Sequence, residues 1–267
     1  MFLGGFMEKN FMTFNLKYDF SSGDENDWGK RVKRICKIIK DNDPLCIGIQ
    51  EGLIHMLKDM SVYLDEYVWL GEGRNGGDLG EFNAIFYKKD VLDLKESGQF
   101  WLSETPTIKE SKSFNSACER ICTWGTFKEK SSGKVFTIYN THLDHESDLA
   151  RREGIKIILD FAKNKFKKEN NPFMVMGDFN CYLDDEVFSI IKSYNNLDFN
   201  VRNIYDEANH NIKSTFHDFK GGDDGEIIDY ILISEGIIYN GIKSDNRIID
   251  SGYPSDHYPV IARLIIN

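Results

Sequence analysis

Positive charge is in short supply in this sequence, which has 33 Lys and Arg residues against 43 Asp and Glu and a formal net charge of -10. The isoelectric point is about 5.2. Proteins that grip long nucleic acids through many phosphates normally present a basic face, because neutralising the phosphates drives their binding. The acidic balance therefore favours local engagement of a substrate, or help from metal ions. It does not exclude action on nucleic acid, since a metal site itself contributes several carboxylates.

Long hydrophobic runs are also missing. No stretch approaches the roughly 18 apolar residues that a membrane-spanning helix needs. The opening segment MFLGGFMEKN has neither a basic leader nor an apolar run long enough for export. We therefore expect a cytoplasmic protein without membrane insertion.

Cysteine and proline are scarce. The five cysteines include no CxxC pair of zinc-site spacing. The spacing of Cys118 and Cys122 is a weak metal signal, and we expect buried thiols instead. The five prolines mark no linker, and no repeat or low-complexity segment divides the chain. A single catalytic domain covering 1–267 is the natural expectation at this length.

Short apolar runs rich in β-branched and aromatic residues recur between polar turns. Their length and composition predict β-strands. The runs are 11–14, 45–50, 82–87, 121–127, 134–141, 173–177, 227–233 and 259–266. Helical periodicity appears in 28–41, 148–166 and 184–194. In the second of these, the predicted apolar stripe contains Gly154, Ile157, Ile158, Phe161 and Ala162. The pattern predicts two packed sheets covered by helices.

Polar residues suited to catalysis stand at or beside the ends of the predicted strands. Strand ends are rigid platforms at the rim of a sheet, where residues distant in sequence can converge. The residues in this position are Asn15, Glu51, His142, Asp178, Asn180, Asp256 and His257.

Two short motifs combine groups that can bind an ion or move a proton. In GDFN (177–180), a carboxylate and an amide two residues apart project to one side of an extended segment and could orient a water molecule. The same residues are typical of an ordinary turn. In SDH (255–257), the carboxylate can bind a hard cation and the imidazole can act as acid or base near neutral pH. A polar turn that begins a strand is the alternative.

Other single residues have both a functional and a structural interpretation. Asp229 lies among apolar neighbours, so it either faces water at a rim or pairs with His257 and fixes its tautomer. Glu51 could bind a hard cation or favour the N-terminus of a following helix. His142 could donate to a phosphate oxygen. Arg120 could clamp a phosphate, although a surface ion pair is the ordinary role of a lone arginine.

Together and in this order, the motifs resemble the endonuclease/exonuclease/phosphatase superfamily, which includes deoxyribonucleases, deadenylases, sphingomyelinases and inositol-polyphosphate phosphatases. The matching segments are MTFNLKYD (12–19), IGIQEG (47–52), NTHLDH (140–145), MGDFN (176–180), IIDYILIS (227–234) and YPSDHYPV (253–260). They span almost the whole chain. Segments 86–106 and 119–127 look like those of bacterial members of the deadenylase-like branch.

The resemblance implies an α+β fold, a four-layer α/β/β/α sandwich in which two mixed β-sheets pack face to face with helices on the outer faces. It also implies a Mg²⁺ ion, which Mn²⁺ could replace. Glu51 would be its chief ligand, with Asn15 and Asp256 nearby or acting through water.

Catalytic roles are implied in the same way. Asp178 and Asn180 match residues that position the attacking water, and His257, paired with Asp229, matches a base or phosphate contact. The matching phosphate contacts are His142 and, less closely, Arg120. Either Asp178 or the His257–Asp229 pair could take the proton from water.

The sequence does not decide the substrate. The leading hypothesis is a monomeric phosphodiesterase acting on nucleic acid or nucleotides, with single-stranded nucleic acid as a partner. The alternative is a phosphomonoesterase for a small sugar, lipid or inositol phosphate, which suits the acidic balance better; an inert binding module is the third reading. The loops 71–81 and 218–226 could border the site, and Arg74 in the first could contact a phosphate. Neither loop fits a known phosphate- or calcium-binding motif, so flexible connections and a solvated Arg74 are the favoured alternatives.

Overall fold

The computed structural model of the protein describes residues 7–20, 22–207 and 212–267. Most of the opening segment, from which we expect no export leader, lies outside the described residues. No helix within these ranges is both long and apolar enough to cross a membrane.

In the described part of the chain, twelve strands and four α-helices form the fold. The strands are β1 (Met7–Asn15), β2 (Cys46–Gln50), β3 (Tyr67–Leu70), β4 (Ile85–Lys88), β5 (Leu92–Trp101), β6 (Ile121–Glu129), β7 (Val135–His142), β8 (Phe173–Asp178), β9 (Val201–Asn203), β10 (Asp229–Ser234), β11 (Ile237–Ser244) and β12 (Val260–Ile266). The helices are α1 (Trp28–Asn42), α2 (Ile54–Tyr63), α3 (Asp148–Glu169) and α4 (Glu186–Ser193). A short 3₁₀ helix follows β9 at Ile204–Glu207.

The strands form two six-stranded mixed sheets, in the orders β11-β12-β1-β2-β4-β3 and β5-β6-β7-β8-β10-β9. β1 pairs with β2, and β7 with β8, in parallel, whereas the other pairs are antiparallel. Phe11 and Phe136 meet edge to face between the sheets. Apolar residues of α1 and α2 pack on the first sheet and those of α3 and α4 on the second. The expected four-layer sandwich is confirmed.

A polar contact locks β2 to β7 across the otherwise apolar interface. The amide nitrogen of Asn140 donates to the carbonyls of Ile49 and Ala84 at 2.8 and 2.9 Å, and Gln50 donates to its oxygen at 2.7 Å. A Cβ atom on Gly48 would lie 2.7 Å from that oxygen. Buried amides require such partners. The ends of β2 and β7 are therefore held in fixed relative positions.

All eight predicted strands and all three predicted helices are found within a few residues, although the strand predicted at 82–87 begins at Ile85. The strands β3, β5, β9 and β11 were not predicted. The apolar run of β3 is only four residues long, and the other three strands mix apolar with polar residues. The apolar stripe of α3 is rotated from the predicted one. Ile155 and Leu159 are fully buried, while Phe161 is 37% exposed and stacks on Phe100.

The cysteines are free thiols, four of them buried and Cys118 only partly so. Burial raises the pKa of Cys36 to about 12 and that of Cys46 and Cys122 well above the ordinary value. The expectation of buried thiols is thus confirmed for all but Cys118.

Candidate active site

Polar residues from both sheets meet at one edge of the sandwich. The parallel pairs β1/β2 and β7/β8 end at this edge, with Asn15 and His142 as the last residues of β1 and β7. Asp178 ends β8 and lies in register with His142 on one side and with Asp229, the first residue of β10, on the other. The strand ends therefore bring together residues that are far apart in the sequence.

Asp178 is the hub of this arrangement, with 1% of its surface exposed. Its Oδ2 atom accepts a hydrogen bond from the Asn15 amide at 2.9 Å and lies 3.4 Å from His142 Nε2 and 3.8 Å from His257 Nε2. The backbone N–H of Asn180 donates to Oδ1 at 2.9 Å. Burial raises the pKa of Asp178, and the nearby negative charge of Asp229 raises it further. The carboxylate is therefore a stronger base than an exposed aspartate.

His257 forms a buried pair with Asp229. Its Nδ1 atom lies 2.9 Å from Asp229 Oδ2, which fixes the tautomer of the neutral ring and leaves Nε2 directed toward Asp178. Burial lowers the pKa of His257, but the charge and hydrogen bond of Asp229 outweigh it and leave the pKa raised. The pairing considered from the sequence is thus present, and it favours the imidazolium form.

His142 has the opposite electrostatic character. Burial, followed by the positive charge of Arg120, holds its pKa well below the ordinary value. Its Nδ1 atom is buried and has no hydrogen-bond partner among the described residues. His142 is therefore a neutral imidazole with one nitrogen still to be satisfied.

Glu51 and Asp256 supply the oxygen atoms at the other side of Asn15. Glu51 has a φ of 59° and accepts from the Asn15 amide and the Tyr18 backbone N–H, both at 2.9 Å. The ammonium of Lys17 lies 3.0 Å from Asp256 Oδ2. Burial opposes its charge, but the negative charges of Asp256 and Glu51 outweigh burial and raise the pKa of Lys17. A cation already stands among these carboxylates. Oxygen donors of this kind suit a hard divalent cation such as Mg²⁺.

The ligand atoms of Cys118, Asp144 and His145 lie close enough together to hold a metal ion, but Asp144 and His145 both contact the guanidinium of Arg120. Another such group lies around Asp178. Atoms of Asp178, Asp229 and His257 lie within 4.8 Å of one another. However, Asp229 and the Nδ1 atom of His257 already form a hydrogen bond with each other, so neither is free to bind a metal ion. We therefore favour the oxygen donors Glu51 and Asp256 as the residues that fit a divalent cation.

Arg120 is buried, not a surface residue. Its Nη2 atom lies 2.7 Å from His145 Nδ1, and its Nε atom lies 3.4 Å from Asp144 Oδ2. Asp144 also accepts from the Ser116 hydroxyl at 2.8 Å. Burial would raise the pKa of Asp144, but hydrogen bonds from Ser147 and Ser116 and the charge of Arg120 together outweigh it and lower the pKa to about 2. The guanidinium is thus oriented by a carboxylate that stays ionised.

These groups line a cavity of about 610 Å³. Of the nine residues singled out from the sequence, seven line it, namely Glu51, Arg120, His142, Asp178, Asn180, Asp256 and His257. The other two, Asn15 and Asp229, lie behind it and are bonded to Asp178 and His257. Arg74, considered from the sequence as a possible phosphate contact, also lines the cavity. Sequence reasoning missed further lining residues, among them Lys17, Tyr18, Glu81 and His145. Lys17, Tyr18 and His145 lie within the matched segments 12–19 and 140–145, which is the signal that could have found them.

The chain matches the family model described as "Endonuclease/Exonuclease/phosphatase family" over residues 12–257. It is 32% identical to an endonuclease/exonuclease/phosphatase from Bacteroides vulgatus, covering 98% of this chain and 100% of that one with a TM-score of 0.89. It is 30% identical to a mannosyl-6-phosphatase from Bacteroides thetaiotaomicron, covering 96% and 99% with a TM-score of 0.88. The catalytic domain of human Nocturnin, at 18% identity, covering 98% and 97% with a TM-score of 0.76, shares the fold. Comparison with curated proteins gives no match. The chain therefore belongs to the endonuclease/exonuclease/phosphatase family and is a phosphoester hydrolase, from a family whose members generally depend on divalent metals.

Proposed function

We propose that this enzyme is a divalent-metal-dependent phosphatase that hydrolyses the phosphate monoester of a small polyhydroxy molecule, such as a sugar phosphate. The observation that carries the proposal is the charge distribution of the cavity. Arg120, His142 and His257 converge in it, whereas Glu146 and Glu226 also line it. A single phosphate would meet the donors, but the further phosphates of a nucleic acid would approach carboxylates of like charge.

Two further observations support a small monoester over a polymeric diester. The net charge of -10 gives the protein no general attraction for nucleic acid. A relative that is 30% identical over 96% of this chain is called a mannosyl-6-phosphatase. We also propose that 1–267 form one catalytic domain, because β1 pairs with β12 and both sheets contribute residues to the cavity.

Three side chains that line the cavity would donate hydrogen bonds to the phosphate oxygens. Arg120, held by Asp144, presents its guanidinium to the phosphate oxygens. Neutral His142 donates one ring N–H, and His257 in its charged form donates from Nε2. A Mg²⁺ or Mn²⁺ ion held by Glu51 and Asp256, with Asn15 bridging Glu51 to Asp178, would polarise the phosphoryl group and stabilise the leaving oxygen.

We assign proton transfer from the attacking water to Asp178. Its raised pKa makes it the better acceptor near neutral pH, since His257 holds its own proton through Asp229. Asn180 is fixed beside it, because its amide nitrogen donates to the Leu143 carbonyl at 3.0 Å. This amide and the Asp178 carboxylate would together orient the water for in-line attack.

A substrate panel tests the proposal. The purified protein is assayed with mannose 6-phosphate, p-nitrophenyl phosphate, bis(p-nitrophenyl) phosphate and single-stranded RNA and DNA, each with Mg²⁺ and with EDTA. We expect the monoesters to be cleaved with Mg²⁺ and not with EDTA, and Asp178→Asn to remove the activity. A strong preference for the diester or for nucleic acid would overturn the proposal in favour of a phosphodiesterase.

A further inference from the structure

The loop between β3 and β4 is a folded part of the cavity wall and not the flexible connection predicted from its glycines. The backbone N–H of Arg74 donates to the Glu81 carbonyl at 2.9 Å, and that of Asn75 donates to the Leu79 carbonyl at 3.1 Å. A Cβ atom on Gly73 would lie 2.0 Å from the Leu79 carbonyl oxygen. The glycine therefore permits a close backbone turn, which fixes the two ends of the loop against each other.

Arg74 and Glu81 project from this turn into the cavity, and each side chain is 21% exposed. Arg74 Nη1 donates to Glu81 Oε2 at 3.0 Å and lies 3.3 Å from Cys118 Sγ. Trp101 anchors the turn, because its indole N–H donates to the Arg74 carbonyl at 2.8 Å. The expectation that Arg74 is solvated is therefore wrong.

The pair has hydrogen-bonding capacity to spare. Arg74 Nε is buried without a hydrogen-bond partner in the described part of the chain. Among the same residues, none donates to the second carboxylate oxygen of Glu81. Burial raises the pKa of Glu81, and the charge of Arg74 opposes the rise. The same burial strengthens any hydrogen bond that this carboxylate accepts.

The charge of the pair indicates what it can bind. Arg74 and Glu81 neutralise each other, so the pair has little attraction for a second anion. An acceptor beside several donors instead matches neighbouring hydroxyl groups, each of which both donates and accepts. We propose that Arg74 and Glu81 form a specificity site that recognises adjacent hydroxyls of the alcohol portion of the substrate while its phosphate lies at Arg120 and His142. This inference rests on the proposed phosphatase function.

The test compares two substrates of the same enzyme. Mannose 6-phosphate carries adjacent hydroxyls, and p-nitrophenyl phosphate has none. Glu81→Gln removes the charge but keeps the size of the side chain, and Glu81→Asp keeps the charge but shortens its reach. The matched control is Glu72→Gln, from the same loop, where Glu72 pairs with exposed Lys109 and does not line the cavity.

For both Glu81 variants we expect kcat/KM for mannose 6-phosphate to fall about ten- to a hundredfold, the scale of losing a hydrogen bond to a charged group. The value for p-nitrophenyl phosphate should change by less than about threefold, since the phosphate contacts are intact. Glu72→Gln should leave both values unchanged.

The outcomes separate the two proposals. Equal losses for both substrates, or no loss for either, with wild-type protein that cleaves monoesters, would overturn the specificity site alone. Wild-type protein that cleaves neither monoester in the presence of Mg²⁺ or Mn²⁺ would overturn the proposed function and the specificity site with it. If Glu81→Gln does not fold, the Glu81→Asp comparison decides in the same way.

Discussion

Asp178 and Asp229 lie directly opposite each other in the antiparallel register of β8 and β10. Two buried carboxylates in facing positions repel each other. His257 offsets this repulsion, since its Nδ1 atom lies 2.9 Å from Asp229 and its Nε2 atom 3.8 Å from Asp178. The three groups therefore form one buried electrostatic cluster. The repulsion between Asp178 and Asp229 disfavours folding, but it also raises the pKa of Asp178, which the proposed proton transfer needs.

Asp178→Asn should lower the activity of the enzyme without lowering its stability. Removing the carboxylate that accepts the proton should lower kcat at least about a hundredfold. The same change removes the repulsion with Asp229, so the melting temperature should stay the same or rise. Activity assays and calorimetry measure the two effects, with the exposed Asp65→Asn as a control of equal charge change. Near-normal activity in Asp178→Asn would show that the base has been misassigned.

Asp229→Asn should change the pH dependence of the enzyme. The Asp229 carboxylate raises the pKa of His257 against the effect of burial, so its loss should lower that pKa. The imidazolium would then lose its proton at a lower pH. If the imidazolium contacts the phosphate, the alkaline decline of kcat/KM should move to lower pH in the variant. An alkaline limb at the same pH in both proteins would exclude His257 as its cause.

Short apolar runs in the sequence predict where strands end. The meeting of polar residues from distant parts of the chain at those strand ends was therefore predictable. Asp229 is a clear example, since a carboxylate inside an apolar run required either water or a partner, and His257 proved to be the partner. The sequence indicated that loop 71–81 could border the site, but the pairing of Arg74 with Glu81 was not predictable, because no periodic pattern specifies how a glycine-rich loop folds back on a sheet. Phe161 shows the other limit. It lies on the exposed side of α3, where stacking on Phe100 from β5 replaces burial in the core.

Glu51→Gln should weaken the binding of the divalent cation. A neutral amide oxygen replaces one of the two carboxylates assigned to the ion, so the Mg²⁺ concentration for half-maximal activity should rise about tenfold or more. The protein is first freed of metal with EDTA and then titrated with Mg²⁺, with binding followed by calorimetry as well as by activity. An unchanged metal affinity would move the site to Asp178, Asp229 and His257.

Lys17→Met should strengthen the binding of the divalent cation. The Lys17 ammonium lies 3.0 Å from Asp256 and is attracted to Glu51, so it competes with a metal ion for the same negative charge. Methionine keeps much of the side-chain length without the charge. Calorimetry with Mn²⁺ should show tighter binding to the variant than to the wild type. Weaker binding would mean that Lys17 supports the metal site instead of competing for it.

Arg31, a fully buried residue of α1, holds the backbone around the site, and among the described residues its hydrogen-bond partners are backbone carbonyls and not carboxylates. It donates to the backbone carbonyls of Leu16, Lys17, Tyr18, Asn26 and Pro254. These segments carry Lys17 and adjoin Asn15 and Asp256. Burial lowers the pKa of Arg31 to about 10, so the charge is kept at neutral pH.

Arg31→Met should leave several buried carbonyls without donors and lower the free energy of unfolding by at least about 3 kcal/mol. Arg31→Lys keeps the charge but has a compact ammonium in place of the planar fork, so it should recover only part of that stability. Urea denaturation measures the loss. Because the carbonyls of Leu16 and Lys17 set the path of the chain beside Asn15, both variants that remain folded should also bind Mn²⁺ more weakly. Full stability together with unchanged Mn²⁺ affinity in Arg31→Met would show that water can replace the guanidinium at these carbonyls, and Arg31 would then have no positioning role.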